Sequence, residues 1–285
     1  MNRPRVLLVN PNRMLPPVAP LGLEYVAEDL ERHGYEPALC DLTFAKDWAT
    51  ELASSVKRVA PMAIGVSIRN VDDCFFASQD FVLDTTTAMI RHMRSLTDAP
   101  IVLGGVGFSV LPKEVLAYTG ADYGIVGDGE VAFALLLERL SKKESVDEIP
   151  GLAYRPLGDE VVVVKPCRIE LSNVPTPHRR FLDNARYFAE GGQAGIETKR
   201  GCDGACVYCV DPLSKGTRIR LRASDSIVAE LRNLVEQGIN VFHLCDCEFN
   251  LPYEHAMNVS NAVADSGLAS SIRWYAYASP HPFDH

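Results

Sequence analysis

Short apolar runs alternate with amphipathic segments along residues 1–145. Val6–Val9 is apolar throughout, as expected for a strand buried on both faces of a parallel sheet. Gly22–His33 instead carries its apolar residues at helical spacing and ends before Gly34. The same two patterns recur along the segment. They predict strands at Arg5–Asn10, Glu36–Leu42, Met62–Ser67, Ile101–Gly105 and Tyr123–Gly127, and helices at Gly22–His33, Trp48–Ala60, Asp84–Ser95, Pro112–Tyr118 and Glu130–Ser141.

Strands that alternate with helices predict an α/β fold, here a doubly wound, Rossmann-like parallel sheet covered on both faces. Ligands of such sheets bind outside the carboxyl ends of the strands. Glycine at two of those ends lets a large ligand approach the backbone, although each glycine could equally serve a tight turn. The candidate ligand-binding residues at this edge are Asn10, Pro11, Ser67, Gly104, Gly105, Gly127, Gly129 and Glu130.

The pattern changes after residue 145. Residues 146–190 predict a hairpin, with a turn at Gly158-Asp159, and then a proline-spaced linker and a short helix at Phe181–Tyr187. Residues 191–285 return to strand–helix alternation, with Ser224 as the predicted N-cap of the first long helix. The predicted elements there are strands at Gly195–Thr198, Asn240–Leu244 and Ile272–Ser279 and helices at Asp225–Gln237 and Glu254–Ser266.

Composition excludes several classes of protein. The net charge of −9 argues against a free-standing nucleic-acid binder, which would show a basic face. No apolar run approaches the ~20 residues that span a membrane, and the first residues do not resemble a signal peptide. Eight cysteines in such a chain predict a reducing, cytoplasmic location rather than a disulfide framework.

Three of those cysteines, Cys202, Cys206 and Cys209, have C-x3-C-x2-C spacing. Thiolates suit iron–sulfur clusters, zinc or copper(I), and a cluster usually takes four of them. Three close cysteines without a nearby fourth therefore suggest a cluster with one iron left open for chemistry. A structural zinc site is the alternative, and its further ligands would come from His243, Cys245 and Cys247.

The cysteine spacing, with Tyr208 just before the last cysteine, resembles the signature of the radical S-adenosylmethionine (SAM) superfamily. The resemblance implies a four-iron four-sulfur cluster on the three cysteines, an open iron that binds SAM, and cleavage of SAM to a 5'-deoxyadenosyl radical. It implies that Tyr208 lies near the adenine and Ser279 near the ribose. In place of the family's Gly-Gly-Glu-like stretch, Asp246 and Glu248 are the carboxylates available for the SAM amino group, and Asp246 is the favoured one of the two.

Residues 4–142 resemble the cobalamin-binding domain found upstream of many radical SAM enzymes. The resemblance rests on Asn10-Pro11, Pro20–Leu23, Gly104-Gly105 and Gly127–Glu130 in that order. The Asp-x-His-x-x-Gly motif of some cobalamin proteins is absent, and Asp41-Leu42-Thr43 stands in its place. No protein ligand to cobalt is therefore predicted.

Together the resemblances imply a cobalamin-binding-like domain at 1–145, a hairpin and linker at 146–190, and a radical SAM core at 191–285. That core normally has six strands, so we expect the first half of a partial (β/α) barrel and a truncated chain. The implied function is a cobalamin-dependent radical SAM methyltransferase. Its cofactors are a 4Fe-4S cluster, SAM and cobalamin, and its partners are a small-molecule or natural-product substrate and an electron donor such as flavodoxin or ferredoxin.

Two alternatives remain open at this point. A methylthiotransferase would carry a second cluster on three N-terminal cysteines, but residues 1–145 contain only Cys40 and Cys74. A non-catalytic fragment that binds cobalamin or a cluster is the other. The basic residues Lys215, Arg218, Arg220 and Arg222 form either a solvated loop or a contact for the SAM carboxylate or an anionic substrate.

Overall fold

The computed structural model describes residues 3–73, 75–156 and 160–281. The chain divides into two compact units. The first comprises Met1–Met14 and Gly22–Arg168, and the second comprises Leu15–Leu21 and Ile169–His285. The first unit thus extends past the predicted boundary at residue 145, and the functional labels given to the three predicted segments stay predictions.

The first unit is built on a seven-stranded sheet with the strand order β2-β1-β3-β4-β5-β6-β7. The first five strands pair in parallel, and β6 and β7 add an antiparallel hairpin to the edge at β5. The strands are β1 (Arg5–Asn10), β2 (Glu36–Asp41), β3 (Ala63–Ser67), β4 (Ile101–Gly104), β5 (Tyr123–Ile125), β6 (Leu152–Tyr154) and β7 (Val162–Val163).

Helices follow the parallel strands. They are α1 (Leu21–Arg32), α2 (Trp48–Val59), α3 (Val82–Leu96), α4 (Val106–Val110), α5 (Pro112–Thr119) and α6 (Glu130–Lys142). The continuous apolar run Val6–Val9 is fully buried, as its pattern predicts. The α/β fold class and its parallel sheet are confirmed. The predicted turn at Gly158-Asp159 lies outside the described residues, as does Cys74.

The second unit contains a three-stranded parallel sheet with the order β12-β11-β8, and a short antiparallel pair of β9 and β10. The elements are α7 (Asn184–Gly191), β8 (Ala194–Ile196), β9 (Lys199–Arg200), α8 (Asp211–Lys215), β10 (Arg220–Leu221), α9 (Ser224–Glu236), β11 (Val241–Leu244), α10 (Tyr253–Asp265) and β12 (Arg273–Ala276). Ile196, Phe242 and Leu244 form its core with apolar residues of α9 and α10. These strands and helices correspond to the strand–helix units that the sequence predicts for residues 191–285.

Three local predictions in this unit need correction. Helix α7 begins three residues later than predicted, because Asp183 caps it by accepting a hydrogen bond from the Arg186 amide. Ser224 is the first residue of α9 rather than its N-cap, and Ala223 precedes it without a capping side chain. The predicted basic loop, Ser214–Arg222, begins in the last residues of helix α8 and includes strand β10.

A buried triad of charges lies at the centre of the second unit. Glu230 of α9 is fully buried and accepts hydrogen bonds from Arg179 Nη1 at 2.7 Å and from Arg222 Nη1 at 2.6 Å. The same arginine nitrogens also donate to backbone carbonyls, Arg179 to that of Gly195 and Arg222 to that of Glu197. The triad therefore fixes the strand that leads into the three cysteines.

Among the described residues, no helix is long and apolar enough to cross a membrane.

Candidate functional site

The carboxyl ends of the parallel strands bring most of the predicted cobalamin-binding residues to one edge of the first unit. Ser67 ends β3 and pairs in register with Gly104, which ends β4. Asn10 ends the neighbouring strand β1, and Pro11 follows it. Gly127, Gly129 and Glu130 come directly after β5.

Hydrogen bonds fix the loop that follows β1. Asn10 Nδ2 donates to Asp41 Oδ1 at 3.0 Å and to Thr43 Oγ1 at 2.9 Å, and the Thr43 hydroxyl donates to the Asn12 carbonyl. Thr43 stands in the place of the histidine of the Asp-x-His-x-x-Gly motif. Its hydroxyl is used within this network, which ties the ends of β1 and β2 together.

The glycines of this edge fall into two groups. A Cβ on Gly104 would meet nothing within 4 Å, so this position is open to a ligand. Gly105 has φ +93°, and a Cβ there would lie 2.5 Å from the Ile68 carbonyl oxygen. A Cβ on Gly127 would lie 1.9 Å from a guanidinium nitrogen of Arg168. Glycine is therefore required at Gly105 by its positive φ and the close Ile68 backbone, and at Gly127 by its φ of +88°, whereas Gly104 leaves space.

Two residues of this edge were missed by the sequence reasoning. Ser109 of the short helix α4 donates to the Gly105 carbonyl and accepts from the Gly127 amide at 2.9 Å, so it joins the loops after β4 and β5. Arg168 fills the space beside Gly127. Helix α4 has only five residues, too few for helical periodicity to reveal it.

The three cysteines of the second unit lie on a loop that begins at a constrained turn. Gly201 has φ +97°, and a Cβ there would lie 2.1 Å from the Arg218 carbonyl oxygen, so only glycine fits. The Cys202 amide donates to the Gly216 carbonyl at 3.0 Å, and the Cys209 amide donates to the Cys206 carbonyl at 3.1 Å. The β9–β10 pair and α8 therefore hold both ends of the loop.

The thiols on this loop are accessible. Cys206 and Cys209 are exposed and Cys202 is half-buried. The sulfurs of Cys202 and Cys206 flank Gly204, 3.3 and 3.8 Å from where its Cβ would be. In the part of the chain that the structure describes, no three Cys, His, Asp or Glu side chains converge as a preassembled metal site. The three predicted thiolate ligands thus share one short loop without being closed around a common centre.

Tyr208 lies on the same loop and is 86 % exposed. The charge of Cys206 and a hydrogen bond to it raise the pKa of Tyr208. Its predicted place beside the adenine of SAM stays a prediction.

The two predicted carboxylates after β11 have different environments. Asp246 is buried and accepts from the Thr198 amide at 2.9 Å, the Thr198 hydroxyl at 2.5 Å and the Lys199 amide at 3.2 Å. These bonds attach the beginning of the cysteine segment to the end of β11. The Glu248 Oε2 atom is buried and has no hydrogen-bond partner among the described residues. Of the two, Glu248 is the carboxylate with a free acceptor.

Cys245 and Cys247 are partly buried thiols. Burial is the largest cause that raises the pKa of each thiol to about 12. Cys247 Sγ donates to Asp211 Oδ2 at 3.0 Å, and Cys245 Sγ lies 3.8 Å from His243 Nδ1. These contacts match a packing role better than the alternative zinc site. Cys40 of the first unit is also buried, with its pKa raised to about 11, which does not suit a second cluster.

The basic residues after the cysteines bind protein groups. Arg220 is buried and donates to the carbonyls of Ile169 and Lys215. Arg218 pairs with Glu170, and Arg222 belongs to the triad with Glu230. The hypothesis of a solvated basic loop is therefore wrong for Arg220 and Arg222, and their guanidinium groups have structural partners.

Ser279 follows β12 and pairs with Asn250 through its backbone. The Ser279 amide donates to Asn250 Oδ1 at 2.8 Å, and Asn250 Nδ2 donates to the Ser279 carbonyl at 2.8 Å. These bonds hold the predicted ribose-binding segment beside the loop after β11.

His255 predicts a pH dependence of stability. Its Nε2 lies 3.1 Å from the Thr198 carbonyl, and burial lowers its pKa below the ordinary 6.5. The fold therefore favours the neutral imidazole, so its contribution is present above about pH 6.5 and is lost as the pH falls through the folded-state pKa. We expect His255→Gln to flatten the pH dependence of the urea midpoint between about pH 5 and 7. An unchanged slope in the variant would contradict this assignment.

Comparisons with known proteins fit both units. Residues 13–137 match the B12 binding domain. The chain is 32 % identical to tryptophan 2-C-methyltransferase of Streptomyces laurentii over 98 % of its own length and 56 % of that protein. It superposes with a TM-score of 0.92 and 34 % identity on the radical SAM methyltransferase TsrM of Kitasatospora setae, solved with cobalamin and a [4Fe-4S] cluster; the match covers 99 % of this chain and 56 % of that one.

The chain carries a B12 binding domain and is similar along nearly its whole length to a radical SAM methyltransferase. The family resemblance stated from the cysteine spacing and the glycine-rich strand ends is thereby confirmed. The radical SAM enzyme OxsB, solved with aqua-cobalamin and SAM, shares the fold with a TM-score of 0.75 at 21 % identity, over 95 % of this chain and 38 % of that one. The chain spans about half the length of the curated relatives that it matches.

Proposed function

We propose that this chain is part of a cobalamin-dependent radical SAM methyltransferase. The observation that carries the proposal is one continuous similarity to tryptophan 2-C-methyltransferase that covers 98 % of the chain and so includes both units. The B12-binding match lies in the first unit and the cysteine loop in the second. Cobalamin, a 4Fe-4S cluster and SAM are the cofactors that follow from it.

The first unit fits cobalamin at the carboxyl edge of its sheet. Asn10, Pro11, Ser67 and Gly104 lie in a row along adjacent strand ends, where parallel sheets bind their ligands. Gly104 leaves the space beside the backbone open. The network around Thr43 and Asp41 holds the neighbouring loop in place without offering a histidine to the metal.

The second unit fits a cluster through the donor chemistry of its loop. Cys202, Cys206 and Cys209 supply three soft ligands on a loop whose ends are fixed by backbone hydrogen bonds. Glu248 offers a buried acceptor without a partner in the described chain, which suits the amino group of SAM. Asp246 serves this site indirectly, because its carboxylate holds Thr198 and Lys199.

When bound, the cluster would supply electrons and SAM would supply the methyl group. Cobalamin would carry that methyl group. The chain's own residues would hold these groups in position: three thiolates on the loop, Tyr208 near the adenine, Glu248 at the amino group and Ser279 near the ribose. The substrate is a small molecule, and electrons would come from a donor such as flavodoxin or ferredoxin in a reducing cytoplasm.

Anaerobic reconstitution with iron, sulfide and hydroxocobalamin tests the proposal, followed by metal counting and a visible spectrum. We expect about four irons and one cobalt per chain. Iron without cobalt would remove the cobalamin assignment. About seven or eight irons would favour the methylthiotransferase alternative, and zinc in place of iron would overturn the assignment of the three cysteines.

Gly104→Leu is expected to lower cobalt retention in the same experiment by at least ~10-fold, because a side chain would enter the space that Gly104 leaves open. The variant should fold, since a Cβ there meets no protein atom within 4 Å. Asp98→Leu is the control, because it places a leucine at an exposed position that precedes the amino end of the same strand. Equal cobalt retention by both variants would place cobalamin elsewhere.

A further inference from the structure

An ion pair on helix α8 ties this helix to the loop after β11. Lys215 Nζ lies 3.3 Å from Asp211 Oδ2, one helical turn earlier. The same ammonium group donates to the Cys245 carbonyl at 3.4 Å and lies 3.8 Å from Cys247 Sγ. Only 22 % of the Lys215 side chain is exposed, so its charge is held among protein groups rather than in solvent.

Cys247 completes a triangle with the ion pair. Its thiol donates to Asp211 Oδ2 at 3.0 Å and, with a pKa of about 12, is neutral near pH 7. Burial opposes the charge on Lys215, but Cys247 and Asp211 outweigh it and raise the pKa of Lys215 above the ordinary 10.5. The triangle therefore contains one positive charge, on Lys215, and one negative charge, on Asp211.

The triangle lies against the cysteine loop. Helix α8 begins two residues after Cys209, and the carbonyl of Gly216, which follows the helix, accepts from the Cys202 amide at 3.0 Å. Both ends of the loop thus adjoin the helix that carries the ion pair. Burial is the largest cause that raises the pKa of Cys247, and the charge of Cys202 is one of the others, so the triangle and the loop are electrostatically coupled.

The surroundings fix the position of the Lys215 charge. Buried Arg220 donates to the Lys215 carbonyl at 2.8 Å and holds the backbone there. Glu197 also acts on the charge of Lys215, but its carboxylate is paired with Arg200 at 2.8 Å. Charges that are fixed and partly withdrawn from water act over longer distances than mobile surface charges do. The field of the ion pair at the loop is therefore part of the fold.

We infer that Lys215 and Asp211 set the reduction potential of the cluster on the cysteine loop, with Lys215 raising it and Asp211 lowering it. This inference rests on the proposed function, because it requires the cluster. Reduction transfers one electron from the donor protein to the cluster and moves no atom, so the loop and its cluster gain one negative charge. A fixed cation favours that charge and a fixed carboxylate opposes it. Neither side chain is a ligand, and each acts through its charge.

The test is an anaerobic potentiometric titration of the full chain, reconstituted with iron, sulfide and hydroxocobalamin, with the reduced cluster measured by EPR. Lys215→Met should make reduction ~10-fold less favourable, because it leaves the Asp211 charge uncompensated; for a one-electron couple this lowers the potential by about 59 mV. Asp211→Asn should make reduction ~10-fold more favourable, because it keeps an acceptor oxygen for the Cys247 thiol and removes only the charge.

Two variants separate the charge from a structural role. Lys215→Arg keeps the cation and should stay within ~3-fold of the unsubstituted chain. Arg273→Met removes an exposed positive charge from the first residue of β12, at the amino end of the sheet, whereas the cysteine loop follows the carboxyl end of β8. It should leave the potential unchanged.

Shifts of the same sign in Lys215→Met and Asp211→Asn, or shifts no larger than that of Arg273→Met, would overturn the inference. A shift in Lys215→Arg as large as that in Lys215→Met would overturn it too. If Lys215→Met loses its iron, Asp211→Asn decides alone, and a potential that does not rise would overturn the inference. Metal counts on each sample keep the two proposals apart. A chain loaded with iron and cobalt that lacks the opposite shifts still supports the proposed function, whereas a chain that takes up no iron overturns both.

Discussion

Replacing Cys206 with alanine is expected to lower the iron content of the reconstituted protein from about four atoms per chain to well under one. The same result is expected for Cys202→Ala and Cys209→Ala. Each thiolate would hold a different iron, and two ligands on a short exposed loop leave the cluster open to loss. The readout is iron and sulfide analysis with the visible spectrum of the anaerobic protein, so it does not depend on a substrate.

Cys167→Ala is the matched control, because Cys167 is also an exposed thiol but lies outside the C-x3-C-x2-C segment. It should keep the full iron content. Cys245→Ala should keep it as well, since that thiol lies outside the loop, is partly buried and has its pKa raised to about 12. Loss of iron in Cys245→Ala with retention in Cys206→Ala would reverse the assignment of the ligands.

Glu230→Gln is expected to destabilise the second unit by about 3–5 kcal/mol. The carboxylate is fully buried and neutralises two guanidinium groups, those of Arg179 and Arg222, at 2.7 and 2.6 Å. Without its charge, both cations stay buried with no counter-charge from this residue, and that cost exceeds the loss of a hydrogen bond.

The two tryptophans make this measurement specific to one unit, because Trp48 lies in α2 and Trp274 in β12. In a Trp48→Phe background, Trp274 fluorescence reports urea unfolding of the second unit. Glu236→Gln, an exposed substitution at the end of the same helix, should change the free energy of unfolding by no more than ~0.5 kcal/mol. A loss below ~1 kcal/mol for Glu230→Gln would show that the triad is not energetically important.

The fold could be predicted wherever local pattern decides structure. Val6–Val9 has to be buried because all four residues are apolar, and Gly34 follows the first helix where the chain must turn. Strand–helix–strand units pair their strands in parallel with a fixed handedness. The carboxyl ends of the strands therefore meet at one edge of the sheet. The C-x3-C-x2-C segment was recognisable because it is also a local pattern: its three cysteines lie within eight consecutive residues.

The sequence reasoning failed where a side chain's partner is distant along the chain. Asp246 was the favoured carboxylate for the SAM amino group, which stays a prediction, but its hydrogen bonds to Thr198 and Lys199, 48 and 47 residues away, were not foreseen. Arg222 was grouped with its basic neighbours, but its partner Glu230 is on a helix face that looks merely amphipathic. Ser224 has the residue type of an N-cap, but the helix begins one residue earlier than that role requires. Neither composition nor periodicity encodes such pairings.

The bond between Asp246 and Thr198 closes a 48-residue circuit of backbone that contains the cysteine loop, α8, α9 and β11. Closing such a circuit costs chain entropy, and ordering backbone costs ~1–2 kcal/mol per residue. In the folded protein, the chain outside the cysteine loop is already closed and ordered, so these entropy losses do not recur when the cluster binds. Capture of a cluster therefore has to restrict little more than the loop from Cys202 to Cys209, so most of the binding free energy of three thiolates remains available to hold the iron.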